Sequence, residues 1–462
     1  MTTEESLVRR ELQRLRFEDF LTNTLPRVGC EQWTAVYHSQ RDDNESFGIF
    51  CALLPVADAQ SALDGPQWEE RGGFGMPGEV ISYAGGSEQR RYYRFGSDDG
   101  HEPLVCVREF HSARPSYLEI SEEFRHYFNL YEDKVRNVSF AIDDAGDEEE
   151  VVRLSQDRAE IRLRFLKEFL AVKGMVLAVY FDATRFSELP LDALGLSDEV
   201  SVVEADKATY QFYAGAWQGV SRERQQSFAR LLGKKIITGS AKISAGEVFE
   251  DFIIGTDDDG LPVSYSCDHD QLGNYFGANP EAPHYLTPVF FRRDVLNKYF
   301  ANPRKYSVED GYLRCSGLWG LQIDNNHHEY VIVYLGDLGR DLPSKERSYW
   351  KSFNVAPEGG GSEVNFRRSI LGQFTSPVMK DLLFKEHFER FQNDWFRQYG
   401  WDLFKPLSKA DQHYAIALRI PLSDEQSHFD DQVMALVKML IDSINENELQ
   451  DGFRPNPQIR AR

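Results

Sequence analysis

Ala159-Glu-Ile-Arg-Leu-Arg-Phe-Leu-Lys-Glu-Phe169, leading into Val176-Leu-Ala-Val-Tyr-Phe181, is the stretch on which the fold class turns. The first segment has helical apolar spacing and the second is a continuous apolar run of strand length, so together they make one helix-to-strand step. That step does not recur. Without alternating strands and helices there is no doubly wound nucleotide-binding sheet, and the chain is expected to be α+β.

Toward the N-terminus, Leu7 to Leu25 reads as a helix with Leu12, Leu15, Phe17, Phe20 and Leu21 on its stripe, ending before Pro26. From Trp33 to about Asp157 short aromatic and β-branched segments alternate with Gly- and Asp-rich turns, which is the pattern of a mostly antiparallel sheet. Ser121 is placed to cap a helix over Glu122 to Tyr131, and the acidic run Asp143 to Glu150 reads as a solvated hairpin tip or mobile loop.

Toward the C-terminus, strands are expected at Val200 to Glu204, Tyr210 to Tyr213 and Lys235 to Ile237. Phe252-Ile-Ile-Gly255 and Val263-Ser-Tyr-Ser266 flank Asp257-Asp-Asp-Gly260, a hairpin signal because Asp-Gly readily takes positive φ. Beyond Phe366 the pattern is helical. Asp381 to Tyr399 carries Leu382, Phe384, Phe388, Phe391, Trp395 and Phe396, which predicts burial over much of its surface. Glu425 to Leu449 carries Phe429, Val433, Leu436, Leu440 and Ile444, a stripe that needs a partner surface. The expected organisation is an N-terminal helix plus β-rich domain over 1–157, a mixed α+β domain with antiparallel hairpins over 158–365, a helical region over 366–450 and a disordered tail over 451–462.

Composition narrows the function classes. The chain has 462 residues, 41% of them hydrophobic, and a net charge of −22. No apolar run approaches the roughly 20 residues that cross a bilayer, so no membrane contact is expected. Acidic residues near Met1 and the lack of an apolar core there do not fit a secretory signal. Five cysteines without a C-x-x-C pair read as reduced, buried thiols of a cytoplasmic protein. The negative field repels nucleic acids, except through two local basic islands. Arg230, Lys234 and Lys235, beside Arg222 and Arg224, are the candidate phosphate contacts of the first, and Arg292 and Arg293, beside Lys298, Arg304 and Lys305, those of the second. The plainer reading is the solvated faces of two helices.

Gly73-Phe-Gly75-Met-Pro-Gly78 matches a dinucleotide fingerprint but lacks the flanking strand and helix that would present backbone N–H groups to a pyrophosphate. Gly233-Lys234 lacks the upstream glycine of a Walker loop, and the Asp257 turn has Gly255 and Ser266 where a calcium loop needs carboxylates. Neither G-x-S-x-G nor H-E-x-x-H occurs.

Cys267-Asp-His-Asp270 holds metal-binding residue types, but reads more simply as a polar strand exit. Two further runs keep chemical potential: Asp324-Asn-Asn-His327-His-Glu329 and Gly336-Asp-Leu-Gly-Arg-Asp-Leu-Pro343, which follows an apolar strand. A metal reading takes Asp324, His327 and Asp337 as ligands, Asp341 as catalytic base and Arg340 as stabiliser of an anionic transition state. Against it, the adjacent His327 and His328 would point to opposite faces of a strand, and a solvated turn explains the first run. For the second, the structural alternative pairs Arg340 with a carboxylate while Ser344 caps the helix that holds Trp350.

The run Tyr285-Leu-Thr-Pro-Val-Phe-Phe-Arg-Arg-Asp-Val-Leu-Asn-Lys-Tyr-Phe300, continuing through Tyr306-Ser-Val-Glu-Asp-Gly-Tyr-Leu-Arg-Cys315 to Gly336-Asp-Leu-Gly-Arg-Asp-Leu-Pro343 and Trp350, resembles a bacterial family of uncharacterised proteins over about residues 160–450. Longer members of that family continue past the Glu425 to Leu449 helix into a helical domain of the HEPN class found in phage-defence proteins. The R-x4–6-H signature of that class is not found on a helix here, its one spacing match being Arg94 to His101, so no effector activity carries over.

The leading expectation is a cytoplasmic bacterial binding protein, a sensor or scaffold in an anti-phage defence or stress locus, with residues 285–354 as its recognition face. It would engage a protein partner or itself through the 425–449 helix, would touch nucleic acid only through the basic islands, and would need no cofactor. The alternative is a metal-dependent hydrolase or nuclease, which uses a divalent metal in the Asp324 to Asp341 region.

Overall fold

Met175–Ser187, the strand that opens with the apolar run, is buried at all seven positions from Met175 to Phe181. It lies inside a ten-stranded sheet, which explains why its sequence is continuously apolar rather than alternating. From edge to edge the order is Glu199–Ala205, Ala208–Ala216, Ser227–Thr238, Met175–Ser187, Glu45–Pro55, Trp33–Arg41, Arg158–Arg162, Glu148–Leu154, Val138–Ile142 and Tyr131–Asp133. Every pairing in it is antiparallel; Val179 lies between Cys51 and Lys235. Leu177, Val179 and Phe181 join the main core with Leu15, Phe17, Phe20, Leu166 and Phe169. Val176, Ala178 and Tyr180 face the other way, toward Ala52, Leu54 and Ile236.

The computed structural model describes residues 3–67, 72–73, 79–92, 100–110, 113–197, 199–205, 207–218, 224–240, 247–422 and 425–452. The chain is α+β, as expected, with the large antiparallel sheet in its N-terminal half and helices in its C-terminal region. It divides into two compact units: Met1–Ile142 with Glu148–Ser244, and Asp143–Asp147 with Ala245–Arg462. The expected border at 157 therefore falls inside a sheet, because Arg158–Arg162 pairs with Trp33–Arg41. That pairing also delays the helix of this stretch, which runs over Leu163–Lys173 and ends on Gly174 at φ 68, a left-handed stop that suits glycine.

Local signals in the first unit fare unevenly. Ser121 Oγ accepts from Phe124 N at 3.4 Å and caps Glu122–Tyr127, as its position suggested. The N-terminal helix, by contrast, stops at Leu15. Phe17 takes a positive φ of 54, and a π-helical turn over Phe20–Thr24 follows. Phe17 is fully buried, so burying its ring offsets a backbone conformation that L-residues seldom adopt.

In the second unit, Pro288–Arg292 lies between Tyr330–Tyr334 and Asn354–Val355, and Tyr306–Glu309, Tyr312–Cys315 and Trp319–Gln322 form a second three-stranded sheet. Asp251–Thr256 and Pro262–Ser266 make the expected hairpin, turning through Gly260 at φ 78. Phe252, Phe291, Leu335, Leu338 and Trp350 share the core. The segment Asp143–Asp147 is grouped with this unit and is the tip of the expected hairpin, joining Val138–Ile142 to its antiparallel partner Glu148–Leu154, with part of it buried. Ala145 is buried, Lys305 Nζ reaches Asp147 at 2.7 Å, and Lys345 pairs with Asp143.

The C-terminal helices also differ from expectation. Lys380–Tyr399 is one long helix, but Leu382 is its only buried residue. The expected helix over 425–449 is broken into Gln426–Val437, a π-helical turn Lys438–Asp442, and Glu446–Gly452. Among the described residues no helix is long and apolar enough to cross a membrane. Residues 74–78 of the glycine-rich motif, Arg94, Arg222 and residues 453–462 of the expected tail lie outside the described residues.

Candidate functional site

The run after Tyr330–Tyr334 is a helix, Leu335–Asp341. Its two glycines are there for close approach. A Cβ at Gly336 would stand 2.2 Å from the Tyr285 ring, and one at Gly339 would stand 1.8 Å from the Cys267 carbonyl oxygen. So packed, the helix brings Asp337 to the Tyr285 hydroxyl, which donates to Oδ1 at 2.8 Å, while Arg340 Nη2 donates to the same oxygen at 3.0 Å. Asp337 is 5% exposed; burial pushes its carboxyl above the ordinary range, and Tyr285 and Arg340 pull against that rise. Arg340 then closes a bidentate pair with Asp341, at 2.6 Å to each oxygen. A base must have a free lone pair directed at its substrate; here both Asp341 oxygens face a guanidinium.

Asp324 to Asn326, expected in a solvated turn, are all buried. Asp324 Oδ2 accepts from Ser362 N at 2.8 Å, and Oδ1 accepts from Ser362 Oγ at 2.7 Å and Asn326 N at 3.1 Å. Asn325 Oδ1 accepts from Gly311 N at 3.0 Å, and Asn326 Oδ1 accepts from Val378 N at 2.9 Å. These three side chains tie distant backbone segments together where water cannot replace them. His327 Nδ1 accepts from the backbone N–H groups of Glu329 and Tyr330, both at 3.2 Å.

The metal reading of Asp324, His327 and Asp337 is therefore corrected: each is engaged with its own neighbours and the three do not converge. Among the described residues no group of three His, Cys, Asp or Glu could hold a metal ion.

The first basic island is not a helix face, whereas in the second Arg293 opens the short helix Arg293–Leu296 and Lys298 lies on Asn297–Phe300. Arg230, Lys234 and Lys235 lie on the strand Ser227–Thr238, where alternation sends Lys235 to the side opposite Arg230 and Lys234. Arg230 makes a bidentate pair with Asp182 at 2.8 and 2.6 Å, Lys235 Nζ donates to the carbonyls of Leu25 and Pro26, and Lys234 is 1% exposed. Arg292 lies over the Phe353 ring. Arg293 donates to the carbonyls of Asn325 and His327, and burial lowers its guanidinium from the ordinary value. Each of these groups has a partner within its own unit.

Two buried charged residues escaped the sequence reading. The helix Ser344–Lys351 begins without a side-chain cap, so Ser344 does not play the part expected of it. On that helix Glu346, 2% exposed, accepts from Lys298 Nζ and Tyr299 Oη, each at 2.6 Å, and Trp350 Nε1 donates to Tyr299 Oη at 2.6 Å. Arg347 is fully buried and donates to Gly339 O at 2.9 Å and Val248 O at 3.1 Å. The available signal was spacing: Glu346 and Arg347 stand four and three residues before Trp350, on the face that Trp350 buries.

Several exposed apolar side chains gather on the C-terminal helices. Along Gln426–Val437, Phe429, Val433, Met434 and Leu436 are all exposed, with Phe429 at 57%, and Ile441 continues the face beyond the helix end. Phe391, Phe396 and Tyr399 are exposed on the long helix. Among the described residues, the buried members of the core cluster there are Leu418, Ala435 and Met439. Phe429, Val433 and Leu436 follow helical i, i+4, i+7 spacing and form one stripe.

No protein-family model matches the chain, and no curated protein matches it.

Proposed function

We propose that the chain acts by binding, as a scaffold whose C-terminal helices self-associate through the face centred on Gln426–Val437. The observation that carries this reading is the stripe of Phe429, Val433 and Leu436, widened by Met434 and Ile441, left in water by a helix that its own chain covers on one side only. Grouped apolar exposure of this kind marks interaction surfaces, whereas scattered apolar residues do not.

A second copy suits the stripe. Antiparallel pairing of two such helices would bury Phe429, Val433 and Leu436 of each copy against the same stripe of the other, as a two-fold interface requires. In this reading residues 285–354 form the rigid body that carries the helices. The phage-defence or stress setting is part of the proposal only through the family resemblance.

Light scattering on a size-exclusion peak tests the reading. The wild-type chain should run at about twice its 53.2 kDa mass, and Phe429→Glu with Val433→Glu should return it to one copy with an unchanged circular-dichroism spectrum. A wild-type chain that stays at 53.2 kDa at tens of micromolar overturns it.

A further inference from the structure

Within the second unit, the strand Tyr306–Glu309, the segment Gly372 to Pro377 and the first turns of Lys380–Tyr399 line a cavity of about 1080 Å³. Lys385 lines it. Its Nζ donates to the Ile416 carbonyl at 3.1 Å and makes no ion pair among the described residues. Three of the carboxylates around it are engaged elsewhere. Asp310 accepts from Arg368 at 2.7 Å and Asn326 at 2.7 Å, Glu386 accepts from Ser376 at 3.0 Å and pairs with Arg390, and Asp381 accepts from the backbone N–H groups of Leu382 and Ile420.

We propose that the Lys385 amine is a nucleophilic site that captures a neutral, sugar-sized carbonyl compound as an imine. The Nζ lone pair attacks the carbonyl carbon and forms the C–N bond. The carbonyl oxygen then leaves as water with the two amine hydrogens, so no oxidant or reductant is needed. The lining selects the ligand's charge: Glu309, Asp310, Glu386 and Glu389 outnumber Arg368 and Lys385, which disfavours an anionic carbonyl compound. The volume is ample for a small organic ligand.

Protonation agrees with this role. Burial pulls the Lys385 ammonium down to about 8, with Asp381 and Glu309 opposing the fall and Arg419 aiding it. At pH 7 the free-amine fraction is then larger than that of an ordinary lysine by a factor of about 300. The lower basicity returns part of that gain, leaving an advantage on the order of tenfold or more.

The full wild-type chain, treated with glycolaldehyde and cyanoborohydride and then mapped by peptide mass spectrometry, reads this directly. Lys385 should be modified at least about tenfold faster at pH 7 than the exposed Lys134 and Lys409, with a rate that rises through a midpoint near pH 8. Glyoxylate, an anionic aldehyde, should lose that preference. Equal rates at the three lysines, or no midpoint near pH 8, overturn the amine site; a preference for glyoxylate overturns the neutral ligand class.

Discussion

Replacing Asp324 with Ala separates a structural carboxylate from a catalytic one. The substitution strands the backbone N–H groups of Ser362 and Asn326 and the Ser362 hydroxyl, in a region where Asp324 is 4% exposed. A buried donor without a partner costs about 1–3 kcal/mol, and the hydroxyl can rotate toward another acceptor, so the two N–H groups dominate. Removing a buried charge returns part of that cost, leaving a destabilisation of about 3–4 kcal/mol. With a urea m-value of about 2 kcal/mol/M for a unit of this size, the midpoint of the second unit should fall by about 1.5–2 M. Asp324→Asn keeps one acceptor oxygen but turns an amide N–H toward one of the donors, so its shift should be roughly half as large. Tryptophan fluorescence in urea, fitted with a separate transition for each unit, makes the measurement. A shift under about 0.5 M would refute the reasoning. So would millimolar Mn²⁺ or Mg²⁺ raising the midpoint of the wild type and not of the variant, because Asp324 would then be serving a metal.

Gly339→Ala drives a methyl group into the Cys267 carbonyl and should cost more than about 2 kcal/mol, while Gly360→Ala, with open space at its Cβ position, should cost under about 0.5 kcal/mol; equal urea midpoints for the two would contradict the close-approach account. Asp337 has a folded-state pKa above its unfolded value, so its contribution to stability is complete below about pH 3.9 and is lost as pH rises through the folded value; Asp337→Asn should therefore gain on the wild type between pH 3 and 7, and melting curves in which that gap stays flat or narrows would reverse the assignment.

The parts of this fold that were legible in the sequence are those decided by neighbours in the chain. Ser121 caps its helix because its hydroxyl needs only the N–H three residues on, and Asp257 to Gly260 turns because Gly260 accepts positive φ. The strand after Gly174 announced itself because both its faces are buried and no polar residue interrupts Met175 to Phe181. What stayed hidden depends on partners far along the chain. Nothing near Val179 says that Cys51 and Lys235 flank it, so a border was read at 157 through a sheet that continues past it. Composition marks Asp324 to Asn326 as polar and so as solvated, yet their partners are Gly311, Ser362 and Val378. Gly336 and Gly339 look like loop residues because glycine weakens an isolated helix, and the packing that outweighs this penalty involves Tyr285 and Cys267. The misread polar groups Asp324 to Asn326, Asp337 and Arg340 proved to have partners within the second unit. That bears on function, since a polar group fully engaged by its own fold has no free valence for a ligand. The chemistry available to an outside molecule lies instead with groups the fold leaves unmatched: Lys385, whose amine meets one carbonyl in a large cavity, and the Phe429 stripe, whose apolar surface meets water.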